Sequence, residues 1–374
     1  MSFKELPLMS DKKGTVLFYP YIPKNSASAI KKVLSGRWIG QGPLVDKFEK
    51  KFSKMFAKNN PCIATGAGTD ALHLAYILAG LKFGDEVIAP VYTCTATNIP
   101  FLYMGVKIKF ADVDPITMNI SVESVKKLIT SKTKAIVCTH YGGLPCDMDE
   151  LKKIASQKKI PIVEDAAHAL GATYKNKPIG SLSEFTMFSF QAIKHITTGD
   201  GGMLCIKNKK LLDKARRIRW FGIDREGKQK GTWKNDIFEV GYKYQMTDIG
   251  ASIGIESLKN FNKICKRELI INTTNDIFKG EDTIISAKSL IEKYVFHIRF
   301  HLMPQISTTI TESKKNLIVR TKKNKMWLFK SDKEIMVEKS IYVENDRAIE
   351  TSLIVIGGIT SSLRDKIKWS LENM

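Results

Sequence analysis

The stretch "ATGAGTDALHLAYILAG", Ala64 to Gly80, spaces Gly66, Gly68 and Ala71 as G-x-G-x-x-A ahead of a run with helical periodicity. In a dinucleotide-binding unit, such a turn is confirmed by an acidic residue about 20 positions on, at the end of the next strand. Here Asp85 and Glu86 precede the strand "VIAPVY", which ends in Tyr92 and Thr93, so the confirming acid is missing. The shared physics survives. Gly66, Ala67 and Gly68 let the backbone approach an anion, Thr69 offers a hydroxyl, and the free N–H groups and dipole of the following helix favour a phosphate. A tight turn with no ligand is the simpler alternative at this point.

Outward from that loop, residues 60 to about 205 alternate short β-rich runs ("CIAT", "EVIAPVY", "KIKFADV", "KAIVCTHY", "IPIVEDAA") with amphipathic ones ("DALHLAYILAG", "ATNIPFLYMG", "VESVKKLITS", "DMDELKKIASQKK"). Such alternation predicts a mostly parallel sheet covered by helices, with ligands at the carboxyl ends of its strands. "TMFSF" and "GGMLCI" flank a polar, Gly-rich turn and read as an antiparallel pair. The chain is 374 residues long and 43% hydrophobic, enough for one large and one smaller domain. Residues 1–255, with an N-terminal segment 1–30, are expected to form the large domain and 256–374 a small C-terminal one.

Composition excludes some classes. The longest apolar run, "TSLIVIGGI", falls far short of the roughly 20 residues that cross a bilayer. Six cysteines form no C-x-x-C pair, and "MSFKELPLMSDKKG" has no apolar signal core, which points to a reducing cytoplasm. The charge of +21 is spread along the chain and no nucleic-acid recognition element accompanies it; a solvated surface accounts for it, and it suits a phosphorylated substrate.

Two further residues carry chemistry. Asp165 ends the apolar strand of "IPIVEDAA", where a carboxylate needs a cationic partner; capping a helix from Ala166 is the alternative. Lys194 lies in "FSFQAIKHITTGDGG", where an exposed turn lysine would be the ordinary reading. Taken together, a phosphate cup, a strand-end carboxylate and a lysine in a Gly-rich turn are the parts that hold pyridoxal 5′-phosphate: one for its phosphate, one for its ring nitrogen, one for its aldehyde.

In order and spacing, "GAGTDALHLA", "GDEVIAPVYTCTAT", "FADVDPITMNI", "THYGGLPCDMDELKKIA", "VEDAAHALGATYKNKPIGS", "FSFQAIKHITTGDGGML" and "RWFGIDR" resemble the DegT-type (DegT/DnrJ/StrS) sugar aminotransferases. The resemblance implies the aspartate-aminotransferase-like α/β fold, pyridoxal-phosphate fold type I, with a small C-terminal α+β domain. It implies that Lys194 is the Schiff-base lysine, that Asp165 pairs with the ring nitrogen, and that His168 approaches the phenolic oxygen. Gly68, Thr69 and Ser189 would hold the phosphate. Ser189 stands five residues before Lys194, as in the family, which keeps the lysine rather than the adjacent His195 in register. Cys94 occupies a position where the family often stacks an aromatic residue on the ring. Lys243 stands where the family has an Asn that reaches the partner's phosphate; a surface lysine is the alternative. The implied reaction moves an amino group from an amino-acid donor, glutamate in most members, to a nucleotide-linked keto-sugar, in a homodimer that shares its sites.

The last third departs from the family. "KSIYVENDRAIETSLIVIGGITSSLRDKIKWSLENM" matches its usual ending only in "GGITSSLRDKI", which motivates a second reading, a cofactor-binding regulatory or degenerate member without sugar turnover. His297, Arg299 and His301 alternate in "FHIRFH" and are expected to be structural.

Overall fold

A computed structural model describes residues 20–225, 227, 237–261, 266–272, 277–285, 295–302, 305–322, 324–344, 347–359 and 364–374. Residues 1–19 of the N-terminal segment, and the side chains of His297, Arg299 and His301, lie outside what is described. The chain divides into two compact units, one ending at Lys259 and one beginning at Asn260.

In the first unit, the β-branched runs become strands. These are β1 (Cys62–Thr65), β2 (Glu86–Pro90), β3 (Lys107–Ala111), β4 (Thr133–Thr139) and β5 (Ile162–Asp165), then a small hairpin, β6 (Thr173–Tyr174) with β7 (Lys177–Pro178), then β8 (Phe185–Ser189) and β9 (Gly202–Ile206). Seven of them form one sheet in the order β1-β9-β8-β5-β4-β2-β3. Neighbours from β8 to β3 pair in parallel, and β9 runs antiparallel to both β8 and β1. Only β9 therefore opposes the rest, and the ends of β1, β2, β4, β5 and β8 come out at one edge. That edge collects the chemistry.

Helices α1 (Ser26–Gly36), α2 (Pro43–Phe56), α3 (Gly68–Leu78), α4 (Thr95–Met104), α5 (Val122–Leu128), α6 (Met148–Lys158), α7 (Leu212–Arg219) and α8 (Asp248–Asn260) surround the sheet. Helix α3 is apolar nearly all round and buries Ala71, Leu72, Leu74, Ala75 and Tyr76 completely. Each large apolar side chain so buried contributes about 1.5–3 kcal/mol. Elsewhere in the unit, Phe48 and Phe52 of α2 meet Phe190 and Phe188 edge-on, with ring centroids 5.2 Å apart in both pairs. No side chain within α2 caps its start. Asp248 does so from far along the chain, its Oδ1 accepting from Gly42 N at 2.9 Å and from Val45 N at 3.0 Å.

Strand β1 lies at the sheet's edge, where an unpaired ladder invites a stray strand. Side chains close it: Glu49 Oε1 accepts from Ala64 N at 2.8 Å, and Arg219 Nη1 donates to Ala64 O at 2.9 Å and to Glu49 Oε1 at 2.6 Å. Two charges separated by 170 positions thus stand in for a neighbouring strand.

The second unit was expected as α+β. Its described residues form strands: β10 (Lys266–Asn272), β11 (Ile277–Ile285), β12 (Val295–His301), β13 (Ser307–Ile310), β14 (Asn316–Arg320), β15 (Met326–Ser331), β16 (Ile335–Glu344), β17 (Arg347–Ile359) and β18 (Arg364–Asn373). They build a six-stranded sheet, β10-β11-β18-β15-β14-β13, and a three-stranded one, β12-β17-β16. Alternation explains this. In "NLIVR" Leu317 and Val319 face inward while their neighbours do not, a period of two that no helix accommodates. Leu317, Phe329, Ile354, Ile356, Ile367 and Trp369 share the core.

Candidate active site

The phosphate loop leaves β1 and enters α3 directly. Ala67 is extended at the helix's N-cap position with no side-chain cap, and the first helical bond runs from Ala71 N to Ala67 O. The N–H groups of Gly68, Thr69 and Asp70 precede that bond and are free for an anion. Backbone from another segment fixes the loop: Gly66 N donates to Tyr244 O at 2.8 Å, and Thr65 bridges Gln245. Gly68 lies against Ser189 at the end of β8, where an added Cβ would stand 3.1 Å from Ser189 Cβ and 3.3 Å from its Oγ. The structure therefore brings Gly68, Thr69 and Ser189 to one place.

Asp165 ends β5 and is buried. No helix starts at Ala166, so Asp165 is not a helix cap; its Oδ1 accepts from Ala167 N at 3.1 Å in a local turn. Its Oδ2 accepts from Thr97 Oγ1 at 2.6 Å. Sequence reading missed Thr97: a threonine in the first turn of a helix reads as ordinary cap chemistry, and only its spacing of four from Thr93 hinted at a shared face.

His168, half-buried, follows β5 and lies edge-on to the Tyr141 ring at 6.2 Å. Burial holds its imidazole below the ordinary histidine range, the Lys194 cation pushes it the same way, and Asp165 opposes both. His168 thus lies within electrostatic reach of both Lys194 and Asp165. Lys194 itself sits half-buried in the turn between β8 and β9, its N–H bonded to Gln191 O at 2.9 Å, while His195 beside it is exposed.

Cys94 and Lys243 are the remaining expected residues. Cys94 is exposed at the N-cap position of α4, one residue from Thr93. Lys243 belongs to the segment that fixes the phosphate loop, but its side chain turns onto aromatic rings of its own chain. Its Nζ lies 3.5 Å from the centroid of Trp220 and 5.0 Å from that of Phe221. Although Lys243 is exposed, desolvation against those rings and the nearby Arg225 cation lower its ammonium below the ordinary lysine range.

The donor set fits pyridoxal 5′-phosphate: an uncapped helix start packed against a serine, a buried carboxylate at the strand edge, and a primary amine in the adjoining turn. Gly202 adds to the fit, since a Cβ there would strike Ala67 O at 2.4 Å, so β9 closes the cup from behind.

Comparison with known proteins agrees. Residues 20–329 match the model of the DegT/DnrJ/EryC1/StrS aminotransferase family. GDP-perosamine synthase of Escherichia coli O157:H7 is 34% identical over 304 residues, covering 80% of this chain and 80% of that protein. Spore coat polysaccharide biosynthesis protein SpsC of Bacillus subtilis is 36% identical over 265 residues, 69% of this chain and 68% of that one. Among solved structures, the putative sugar aminotransferase Spr1654 from Streptococcus pneumoniae, in its PMP form, aligns with a TM-score of 0.63 at 30% identity, covering 67% of this chain and 68% of that one. Among the described residues, no helix is long and apolar enough to cross a membrane. The chain belongs to the DegT/DnrJ/EryC1/StrS aminotransferase family, the pyridoxal-phosphate-dependent sugar aminotransferases.

Proposed function

We propose that the protein transfers an amino group from glutamate to a nucleotide-linked keto-deoxysugar, supplying an amino sugar for a surface polysaccharide such as lipopolysaccharide. The observation that carries this reading is the convergence at one sheet edge of a buried, doubly hydrogen-bonded Asp165, the Lys194 turn and the uncapped start of α3.

Pyridoxal phosphate, when bound, supplies an electron sink for the pair left behind as a proton departs from the amino-bearing carbon. The chain's residues do the rest. Gly68, Thr69 and the Ser189 hydroxyl bind the phosphate at the helix start. Asp165 would accept a hydrogen bond from the ring nitrogen and keep it protonated, and His168 would serve the phenolic oxygen. Lys194 would hold the aldehyde, and its free amine would be the base that moves a proton between donor and cofactor carbons. Cys94, too small to cover the ring as an aromatic would, flanks it through its sulfur.

The working unit in this reading is a cytoplasmic homodimer. Exposed Phe83, Leu102 and Tyr103, gathered around the end of α4, suit an apolar partner surface. Lys243, released from Trp220, would reach the partner's phosphate as a point charge.

The test is turnover. Purified protein with glutamate and a panel of nucleotide-linked keto-deoxysugars should yield 2-oxoglutarate and an amino-sugar nucleotide, identified by mass. If the protein binds pyridoxal phosphate but releases no 2-oxoglutarate with any member of the panel, the second reading, a cofactor-binding regulatory protein, takes its place.

A further inference from the structure

Asp165 is the end of a chain of hydroxyls. Thr97 Oγ1, which donates to Asp165 Oδ2 at 2.6 Å, lies 2.7 Å from Thr93 Oγ1, and that atom lies 3.1 Å from Thr139 Oγ1. A hydroxyl has one proton to give. Thr97 spends its proton on the carboxylate, so Thr93 must donate to Thr97 and Thr139 to Thr93. The direction of the whole relay follows from its acceptor end.

The relay is held from several sides. Thr97 is fully buried, its carbonyl accepts from Tyr76 Oη at 2.8 Å, and its N–H donates to Cys94 O at 3.0 Å. Thr139 ends β4 and is paired in register with Asp165 itself. Thr93 comes from the loop after β2 and joins the two. None of these three hydroxyls belongs to the phosphate cup or to the lysine turn.

We infer that Thr97, backed by Thr93 and Thr139, is a positioning residue for the ring-nitrogen contact. Its hydroxyl occupies one lone pair of Oδ2 while Ala167 N–H occupies one of Oδ1, so the carboxylate plane is fixed from both oxygens and acceptor capacity remains for a ring nitrogen. This rests on reading Asp165 as the partner of the ring nitrogen. A structural role for Thr97 confined to starting α4 would need only its backbone bond to Cys94 O, which valine and serine both keep.

The experiment titrates apo-protein with pyridoxamine 5′-phosphate, which has no aldehyde and so reports the non-covalent contacts without Lys194. Compared are the wild type, Thr97→Val, Thr97→Ser, Thr93→Val, Asp165→Asn and the Thr97→Val/Asp165→Asn double variant. Thr97→Val should weaken Kd by about tenfold or more, the scale of a hydrogen bond to a charged group, and Thr97→Ser should return it close to wild type. In the Asp165→Asn background Thr97→Val should add nothing, because its effect passes through that carboxylate. Wild-type affinity in Thr97→Val, or a full additive effect in the double variant, overturns the proposal. Should Thr97→Val fail to fold, Thr93→Val decides: affinity reduced a few-fold, by roughly half the Thr97 effect in free energy, supports the relay, and wild-type affinity overturns it. If Asp165→Asn itself binds like wild type, it is the Asp165 reading that falls, whatever the threonine variants do.

Discussion

Gly202 lies so close to Ala67 that a Cβ on it would stand 2.4 Å from Ala67 O and 2.8 Å from Gly68 Cα. The obstacles are backbone atoms of the phosphate loop, which cannot rotate aside as a side chain would.

Gly202→Ala is therefore expected to push the loop outward and spoil the helix start as an anion site. Stability should fall by about 1–3 kcal/mol and pyridoxal phosphate should bind more weakly. Gly36→Ala, where a Cβ meets nothing within 4 Å at the end of α1, is the control and should leave both quantities near wild type. Urea melts and cofactor titration read both. Equal behaviour of the two variants would remove the close approach as the reason for glycine at 202.

Asp70 stands at the third position of α3, and its carboxylate accepts the N–H of Ala67, the N-cap residue, as the reciprocal half of a capping box does. Burial pushes it from the model-compound value of 3.8 up to about 6. A carboxyl whose folded pKa exceeds its unfolded one binds more protons in the folded state, so stability falls as pH rises from about 4 through about 6 and stays lower above it. Asp70→Asn, whose amide oxygen can keep the Ala67 bond, should flatten that part of the urea midpoint against pH curve. It should also tighten phosphate binding above pH ~6 by removing a like charge beside the cup. A wild-type profile in Asp70→Asn would assign the slope to another group.

Glu164 receives three donors. Its Oε1 accepts from Ser183 N at 2.9 Å and Thr186 Oγ1 at 3.1 Å, and its Oε2 from His140 Nε2 at 2.8 Å. The imidazole tautomer is set by Cys146 N, which donates to Nδ1 at 3.1 Å and so leaves the proton on Nε2. Glutamine at 164 must turn an NH2 group toward one of these donors in a fully buried site. Glu164→Gln is expected to lose about 2–4 kcal/mol in denaturant unfolding, despite being nearly isosteric. A loss within about 0.5 kcal/mol would show that the polar cluster tolerates a donor there.

Much of this was legible from residues alone because the signals were local. Alternating runs gave the strands and helices of the first unit; the missing acid after β2 separated a phosphate cup from a dinucleotide fingerprint; the end of an apolar strand put Asp165 at the sheet's carboxyl edge, while Ser189 came only from the family resemblance. What stayed hidden depends on distant partners or side-chain direction. The hydroxyl of Thr97 acquires meaning only when β5 brings Asp165 beside it, and Glu49 meets Arg219 only once α7 returns to the edge of β1. Lys243 was expected to reach a partner's phosphate or to lie on the surface, and nothing in "GYKYQ" reveals that its ammonium rests on Trp220. The second unit escaped because its strands carry surface lysines between core residues, a composition that suits either period until pairing is seen.

The most direct test of the central claim is the half-reaction followed by the visible absorbance of the bound cofactor. Glutamate alone should remove the band of the lysine-held aldehyde, the matching keto-sugar nucleotide should restore it, and Lys194→Ala should never show it. A band indifferent to every amino donor, or one that persists in Lys194→Ala, would contradict the account.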